Sequence, residues 1–534
     1  MSSIIAKKIG NQVYLYESES YRNEEGKPRN NRKLVGKIDF ATGNPIFKPE
    51  FAKRIKEAGE TIKLPSLVST DLSKPVFSVN AVRNSTVKEF GAFYLFEHIA
   101  NESGLLEILQ ETFPYRWEQI LNLACYIVAS GEPLMYCEDW LLKTESIRCQ
   151  SMSPQRIADL FQSISVEERT AFFEKWGLFR CEREYLALDI TSVSSYSELI
   201  ADVEWGYNRD KEKLPQINLC MLMGEKSGLP VFQSPYSGSL RDVSTLKTTF
   251  QLASNIPLSN ATIVMDKGFC SVKNINTMLS DKQGFKFLIA MSFTLKFTKE
   301  QVLSEKNDID RLENTIVIGD DVMRCVTNVK PWNVKHKVFV HTYFNAAHAA
   351  QIKEKLYGRI AKLVEHAKLD PNNPKLKSDY KKYLIIQKFE DICGYSIAIQ
   401  HKAIEDELLH NGWLILISNH IDNAKDAIYI YRAKDVVEKG FLRMKNCLDL
   451  GRLRVHSDNS MQNKVFIGFI ALILMSFIHN VMSSKDIYRY MTMKSLIKTL
   501  EKLRVQYING SRILFPLTKQ QKDIYDAFDL DYPS

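Results

Sequence analysis

Residues 184–197, EYLALDITSVSSYS, and residues 261–270, ATIVMDKGFC, share one design: an apolar, β-like run that ends on an aspartate. Along the first run Tyr185, Ala187 and Asp189 fall on one face, and Leu186, Leu188 and Ile190 on the other. A carboxylate closing such a run is costly to bury unpaired, so Asp189 either faces solvent at the strand end or holds a cation. The second run stops at Asp266, Lys267-Gly268 make a tight turn, and Ser271 caps the helix that follows. Open α/β sheets place their ligands at the C-terminal ends of strands, where two such aspartates converge. Paired there, they form a hard-cation site of the Mg²⁺ or Mn²⁺ type.

A third acid lies in YRAKDVVEKGFLRMKN, residues 431–446, which reads as a helix from about Lys434 to Leu448. Tyr431, Lys434, Glu438 and Lys445 stand at offsets of 0, 3, 7 and 14 and follow one helix face. Val437, Phe441 and Met444 form a neighbouring apolar stripe that packs the helix onto a sheet. One acid between cations makes sense if Glu438 binds a metal while the cations grip phosphates. An ordinary amphipathic helix with a Lys434–Glu438 pair reads the same segment equally well.

Outward from these runs the texture is mixed. QINLCMLM, the turn EKSGLP and VFQSPYSG continue the first strand, a helix is expected over Val243–Ser254, and FKFLIAM adds a strand. This is a mixed α/β sheet. Residues 296–405 interrupt it with β-like runs and a basic helix from Ala346 to Lys368, before the strand GWLILISN. The expected organisation is an N-terminal β-hairpin arm and linker (1–80), with strands at 3–16 and 32–38 around the loop YRNEEGKPRNNRK and a Pro/Ser connector at 64–79. A helical, possible DNA-binding region follows (81–182), without a defensible helix-turn-helix signature. Then come a core in two parts (183–295 and 406–483), the insertion between them (296–405) and a C-terminal tail (484–534).

At 534 residues, 45% hydrophobic and 25% charged, the chain is a folded protein of more than one core. Its net charge of +8 suits a polyanionic partner without demanding one. The nine cysteines are scattered singly, which argues against structural zinc and for reduced thiols. No secretory signal opens the sequence, and VFIGFIALILMSFI (465–478), about 14 residues, is too short for a comfortable membrane span and reads as a buried helix. The expected location is cytoplasmic, with no membrane partner.

Together the three acidic segments resemble the DDE transposases of bacterial insertion sequences, in the branch whose last acidic motif reads Tyr-x2-Arg-x3-Glu-x6-Lys. Tyr431, Lys434, Glu438 and Lys445 carry that motif here, with Lys434 in place of Arg, which keeps the charge but loses the bidentate fork. The likeness extends through LALDITSVSSYS, GYNRDKEKLPQINLCMLM, GLPV and VMDKGF, and to VYLYESESYRN and LVGKIDFATG near the start. It implies an RNase H-like core interrupted by a mostly β insertion. It also implies catalytic, metal-binding Asp189, Asp266 and Glu438, with Asp189 shared between two Mg²⁺ or Mn²⁺ ions. Tyr431, Lys434 and Lys445 would then hold the DNA backbone.

The implied partners are double-stranded DNA, as element ends and target, and further copies of the chain in a homodimer or larger assembly. The implied location is bacterial cytoplasm, at the nucleoid when DNA-bound. Tyr207, Asn208, Arg209 and Asp242 read as structural residues of nearby turns, and Trp413 as core packing rather than a platform for a displaced base. Competing readings are a catalytically inactive DNA-binding relative, an RNase H-like nuclease without strand transfer, and, more distantly, a glycosidase with paired carboxylates.

Overall fold

The computed structural model describes residues 3–9, 12–24, 26–39, 44–58, 83–180, 185–240, 246, 261–280, 284–389, 394–448 and 450–533. The expected connector at 64–79, Asp242 and nearly all of the helix expected over 243–254 lie outside these residues. At the N-terminus β1 (Ser3–Ile9), β2 (Gln12–Arg22), β3 (Pro28–Ile38) and β4 (Pro45–Phe47) form an antiparallel sheet in that order. Phe51, on the helix Pro49–Ala58, joins Leu15, Val35 and Ile38 in a small core. The single hairpin with a long loop is thus corrected. β2 and β3 run on through YRN and PRNNRK to a short turn closed between Asn23 and Lys27. Both faces of that extension are exposed, so it has no apolar alternation from which its strands could be read.

β5 (Thr86–Glu89) leads into helices Gly91–Glu102, Leu105–Thr112, Trp117–Ser130, Cys137–Lys143, Pro154–Ser163 and Val166–Arg180. Gly131 ends the third of these in the left-handed region, and the Ser153 hydroxyl caps the fifth, as the sequence predicts. These helices are not a free-standing domain. Their apolar faces share one continuous core with the central sheet and with the helix Asp458–Ser484. Phe113, Phe172 and Phe173 pack tilted or edge-on against Phe466, and Phe172 and Phe173 also edge-on against Phe469. The 458–484 helix is long and apolar enough to cross a membrane by composition, and here it is mostly buried inside the protein.

The central sheet contains β6 (Tyr185–Ser194), β7 (Gln216–Gly224), β8 (Pro230–Ser237), β9 (Thr262–Met265), β10 (Lys286–Ala290), β11 (Thr315–Ile318), β12 (Asp321–Pro331), β13 (Lys337–Phe344) and β16 (Trp413–Ser418). Across the sheet they run β8-β7-β6-β9-β10-β16-β13-β12-β11. β6, β9 and β10 are mutually parallel, and every other neighbouring pair is antiparallel. The segment expected to interrupt the sheet therefore interrupts only the order of the chain, because β11–β13 and β16 extend the same sheet. The rest of that segment makes its own small core from the helix Ala346–Leu369, the helices Lys377–Tyr383 and His401–Leu408, and the ribbon β14 (Leu384–Lys388)–β15 (Tyr395–Ile399). Trp413 packs on Phe344, with ring centroids 4.9 Å apart.

The C-terminal tail is also corrected. β17 (Arg504–Ile508) pairs with β5 on one side and β18 (Ser511–Leu514) on the other. The buried Tyr525, on the helix Lys519–Ala527, donates its hydroxyl to the Gly91 carbonyl at 3.0 Å. Its strands are short and mixed in polarity, and their partner lies some four hundred residues earlier, so no local pattern announces them.

A core role for the 458–484 helix makes a direct prediction. Phe466→Ala is expected to destabilise the protein by about 3–5 kcal/mol, read as a lower denaturant midpoint in detergent-free buffer. An unchanged midpoint would show that the aromatic cluster does not hold the helix in place.

Candidate active site

The two aspartates meet through sheet register. β6 and β9 pair in parallel from Tyr185↔Thr262 to Leu188↔Met265, so Asp189 and Asp266 follow the last pair on neighbouring strands. Parallel residues in register point to the same face. That face carries Val264 and is covered by the helix Ala424–Ala433 through Ala424, Ala427, Ile428 and Tyr431. β9 stops at Met265 while β6 continues to Ser194, which opens a gap in the sheet beside Asp189.

The third acid arrives on the helix Asp435–Cys447, whose Val437, Phe441 and Met444 are buried as expected. It packs across β6 and β7. Its approach is close at one point, where a Cβ on Gly440 would lie 2.3 Å from the Met223 sulfur. The expected single helix is corrected here. Tyr431 lies in the last turn of one helix, Glu438 in the first turn of the next, and Lys434 is the junction. Its N–H bonds to the Tyr431 carbonyl at 3.3 Å, and its carbonyl accepts from the Val437 N–H at 3.1 Å. These i→i+3 bonds tighten the chain at that residue.

Lys434 is the electrostatic centre. Its Nζ lies 3.1 Å from Glu438 Oε1 and 3.9 Å from Asp266 Oδ2, and its side chain is only 10% exposed. Asp266 Oδ1 accepts from the Tyr431 hydroxyl and from the Lys267 N–H, each at 2.8 Å. Burial pushes the Asp189 carboxyl from its ordinary 3.8 up to about 6, against the downward pull of a hydrogen bond from the Ile190 backbone and of Lys434 and Arg209. Burial also raises the Tyr431 hydroxyl, reinforced by Asp266. Burial pulls the Lys434 ammonium down, but Asp266, Glu438 and Asp189 outweigh it and hold its pKa above the ordinary value.

The structure thus brings Asp189, Asp266, Glu438, Tyr431 and Lys434 together and leaves Lys445 apart, bonded to Asp210 Oδ2 at 2.5 Å. Lys434, expected to grip phosphate, is engaged by the acids themselves. Among the described residues no three acids, histidines or cysteines close into a ready-made metal cage. The donor set nevertheless fits a hard divalent cation. It is all carboxylate, it already surrounds one positive charge, and Asp189 carries a desolvation penalty that a cation would relieve.

Sequence reasoning underweighted the loop GYNRD. Asn208 is buried there, bonded to Ser194 Oγ at 3.1 Å, and Arg209 bears on Asp189 electrostatically. The one available signal was a cation and an amide at a turn, which any polar loop provides.

Sheet, gap and converging acids define an acidic site at the C-terminal ends of the parallel strands. The family model described as Transposase DDE domain matches residues 180–474, more than half of the chain, and this protein belongs to that family of enzymes that cut and join DNA, generally with divalent metal ions. No curated protein matches it. Among solved structures it is similar to one described as the piggyBac transposase synaptic complex with hairpin DNA. That likeness has a TM-score of 0.36 and 11% identity, over 76% of this chain and 70% of that one, a level that says nothing further about this chain.

Two outcomes follow from the geometry. Gly440→Val is expected to cost about 1–3 kcal/mol by overpacking against Met223, and Met223→Ala in the same chain to restore part of it. Equal denaturant midpoints for Gly440→Val and the native chain would disprove the close approach. For Asp189, a raised folded pKa means the native state holds the proton more tightly than the unfolded state. The resulting stability is full below about pH 3.8 and is lost as pH rises through about 6. Asp189→Asn is therefore expected to gain on the order of 2–3 kcal/mol over the native chain between pH 4 and pH 7 without metal. A pH-independent difference between the two would contradict the burial of this carboxylate.

Proposed function

We propose that this protein is the transposase of a bacterial insertion sequence, cutting DNA at the element's ends and joining those ends to target DNA. The observation that carries the reading is the convergence of Asp189, Asp266 and Glu438 on one cationic centre, Lys434, beside the gap where β9 ends. The order β8-β7-β6-β9-β10, three antiparallel strands followed by two parallel ones, supports an RNase H-like core extended by the insertion.

In this reading Asp189, Asp266 and Glu438 would hold two Mg²⁺ or Mn²⁺ ions. When bound, such ions would supply activation of a water or 3′-hydroxyl and stabilisation of the leaving oxygen in an in-line displacement. The chain's own residues do the rest. Tyr431 orients Asp266 through its hydroxyl, which burial keeps protonated and donating. Lys434 offsets part of the acids' charge and would be placed to contact the DNA phosphate. The partly buried floor around Asp189 limits water and strengthens each interaction. Duplex DNA and further copies of the chain complete the assembly, and the cytoplasm at the nucleoid is its place of action.

The test incubates the protein with a plasmid carrying the element's own ends and a target plasmid, with Mg²⁺ or with EDTA. Metal-dependent cleavage with covalently joined product is expected. Asp189→Asn, Asp266→Asn and Glu438→Gln should each lower it by at least about a thousandfold. Cleavage without joining would favour a nuclease, binding without cleavage an inactive relative, and full strand transfer in any of the three variants would sink the assignment.

A further inference from the structure

Lys445 raises a question that the proposed function leaves open, because its ammonium is spent inside the protein. Its side chain is 12% exposed and is paired with Asp210. Asp210 belongs to the loop Tyr207–Lys213, which connects to β6 and to the segment after the Glu438 helix at several points. On the β6 side, the Asn208 amide donates to Ser194 Oγ, and the Arg209 N–H donates to Ser192 Oγ at 3.3 Å. The Asn208 side-chain oxygen in turn accepts the N–H groups of Asp210 at 2.9 Å and Glu212 at 3.3 Å, and Lys211 takes a left-handed φ of 60°. The loop is therefore folded around one buried amide.

On the helix side, Asp210 holds Lys445, two turns beyond Glu438 on the same helix. Glu212 Oε1 accepts from Arg452 at 2.8 Å, and its other oxygen accepts the Ser194 hydroxyl. Arg452 follows the helix and forms a parallel bridge with Ser194, where the Leu453 N–H bonds to the Ser194 carbonyl at 3.2 Å. One loop thus grips β6, which carries Asp189, and fastens by two acids to cations on and just after the helix that carries Glu438.

We propose that the loop Tyr207–Lys213 is a brace that sets the Glu438 helix against β6. Asp210 and Glu212 are its positioning residues, holding Lys445 and Arg452. The inference rests on the reading of the three acids as one reaction centre. Glu438 reaches that centre from a helix with a junction at Lys434, so its N-terminal end is not fixed by a continuous helix. The inner face is fixed by the Gly440–Met223 contact, and the far end by Lys445 and Arg452. Partly exposed ion pairs contribute little to global stability, but misplacing a reacting group by about 1 Å can cost on the order of a hundredfold in rate. The brace acts on rate through position.

The experiment compares the native chain with Asp210→Asn, Glu212→Gln, the double variant and the conservative Asp210→Glu. Cleavage of a plasmid carrying the element's ends is followed as kcat and KM, together with amide hydrogen exchange. The brace predicts a fall in kcat on the order of 10- to 100-fold in the double variant, with KM for DNA unchanged. Exchange should quicken over 435–447 and stay constant over 458–484, Tm should move by no more than about 4 °C, and Asp210→Glu should recover most of the loss. A rise in KM at constant kcat would overturn the proposal, because the cations would then be serving DNA. Unchanged exchange over 435–447 would overturn it whatever the activity. A native chain that cuts no DNA, yet shows the exchange response, would count against the transposase reading and for the brace.

Discussion

A buried carboxylate beside a second one on the neighbouring strand is hard to keep ionised unless a positive charge sits close by. Everything near Asp189 and Asp266 answers that constraint. The Leu188↔Met265 pair puts the two acids side by side, and burial raises Asp189 until its proton is held to about pH 6. The nearest cation, Lys434, is supplied by a helix junction that lowers its Nζ toward Asp266 and Glu438. The same junction turns the chain so that Tyr431 reaches Asp266 from one helix and Glu438 approaches from the next. A monovalent ammonium balances the acids only in part, which leaves the cluster poised for ions of higher charge.

The scaffold exists to hold that cluster still. β6 contributes Asp189, pairs with β7 along its length and with β9 only up to Leu188, and leaves the stretch of edge between Asp189 and the Ser194–Arg452 bridge beside the site. The helices before β6 and the helix Asp458–Ser484 back the sheet with a continuous aromatic and aliphatic core. The C-terminal strands close on β5 and tie the tail to the start of the helical region. Extension of the sheet by β16, β13, β12 and β11 gives the Tyr431 helix a floor, since Tyr343 on β13 donates its hydroxyl to the Ala424 carbonyl at 2.6 Å. The insertion thereby supports the site from the side opposite the brace.

Much of this was legible in the sequence because burial leaves a period. Asp189 and Asp266 stood out as acids ending apolar runs, and Val437, Phe441 and Met444 announced the face by which the Glu438 helix packs. The helix break at Lys434 was not legible, since Tyr431, Lys434 and Glu438 keep helical spacing through it and only i→i+3 hydrogen bonds mark the junction. β17 and β18 were missed because their pairing partner, β5, is remote in sequence and the strands mix polar with apolar residues. The extended ribbon of β2 and β3 was read as loop because a strand exposed on both faces alternates nothing. The place of Lys445 in a motif points to a phosphate contact, while the ion pair it makes here depends on a loop more than two hundred residues away and has no local signal.

The most direct test of the central claim, that the three carboxylates form one divalent-cation site, is anomalous diffraction from crystals of the full chain grown with Mn²⁺. The account predicts manganese bound by Asp189, Asp266 and Glu438 together, with the Lys434 ammonium moved off Glu438. Manganese bound elsewhere, or none at these acids with the Lys434–Glu438 pair intact, would contradict it.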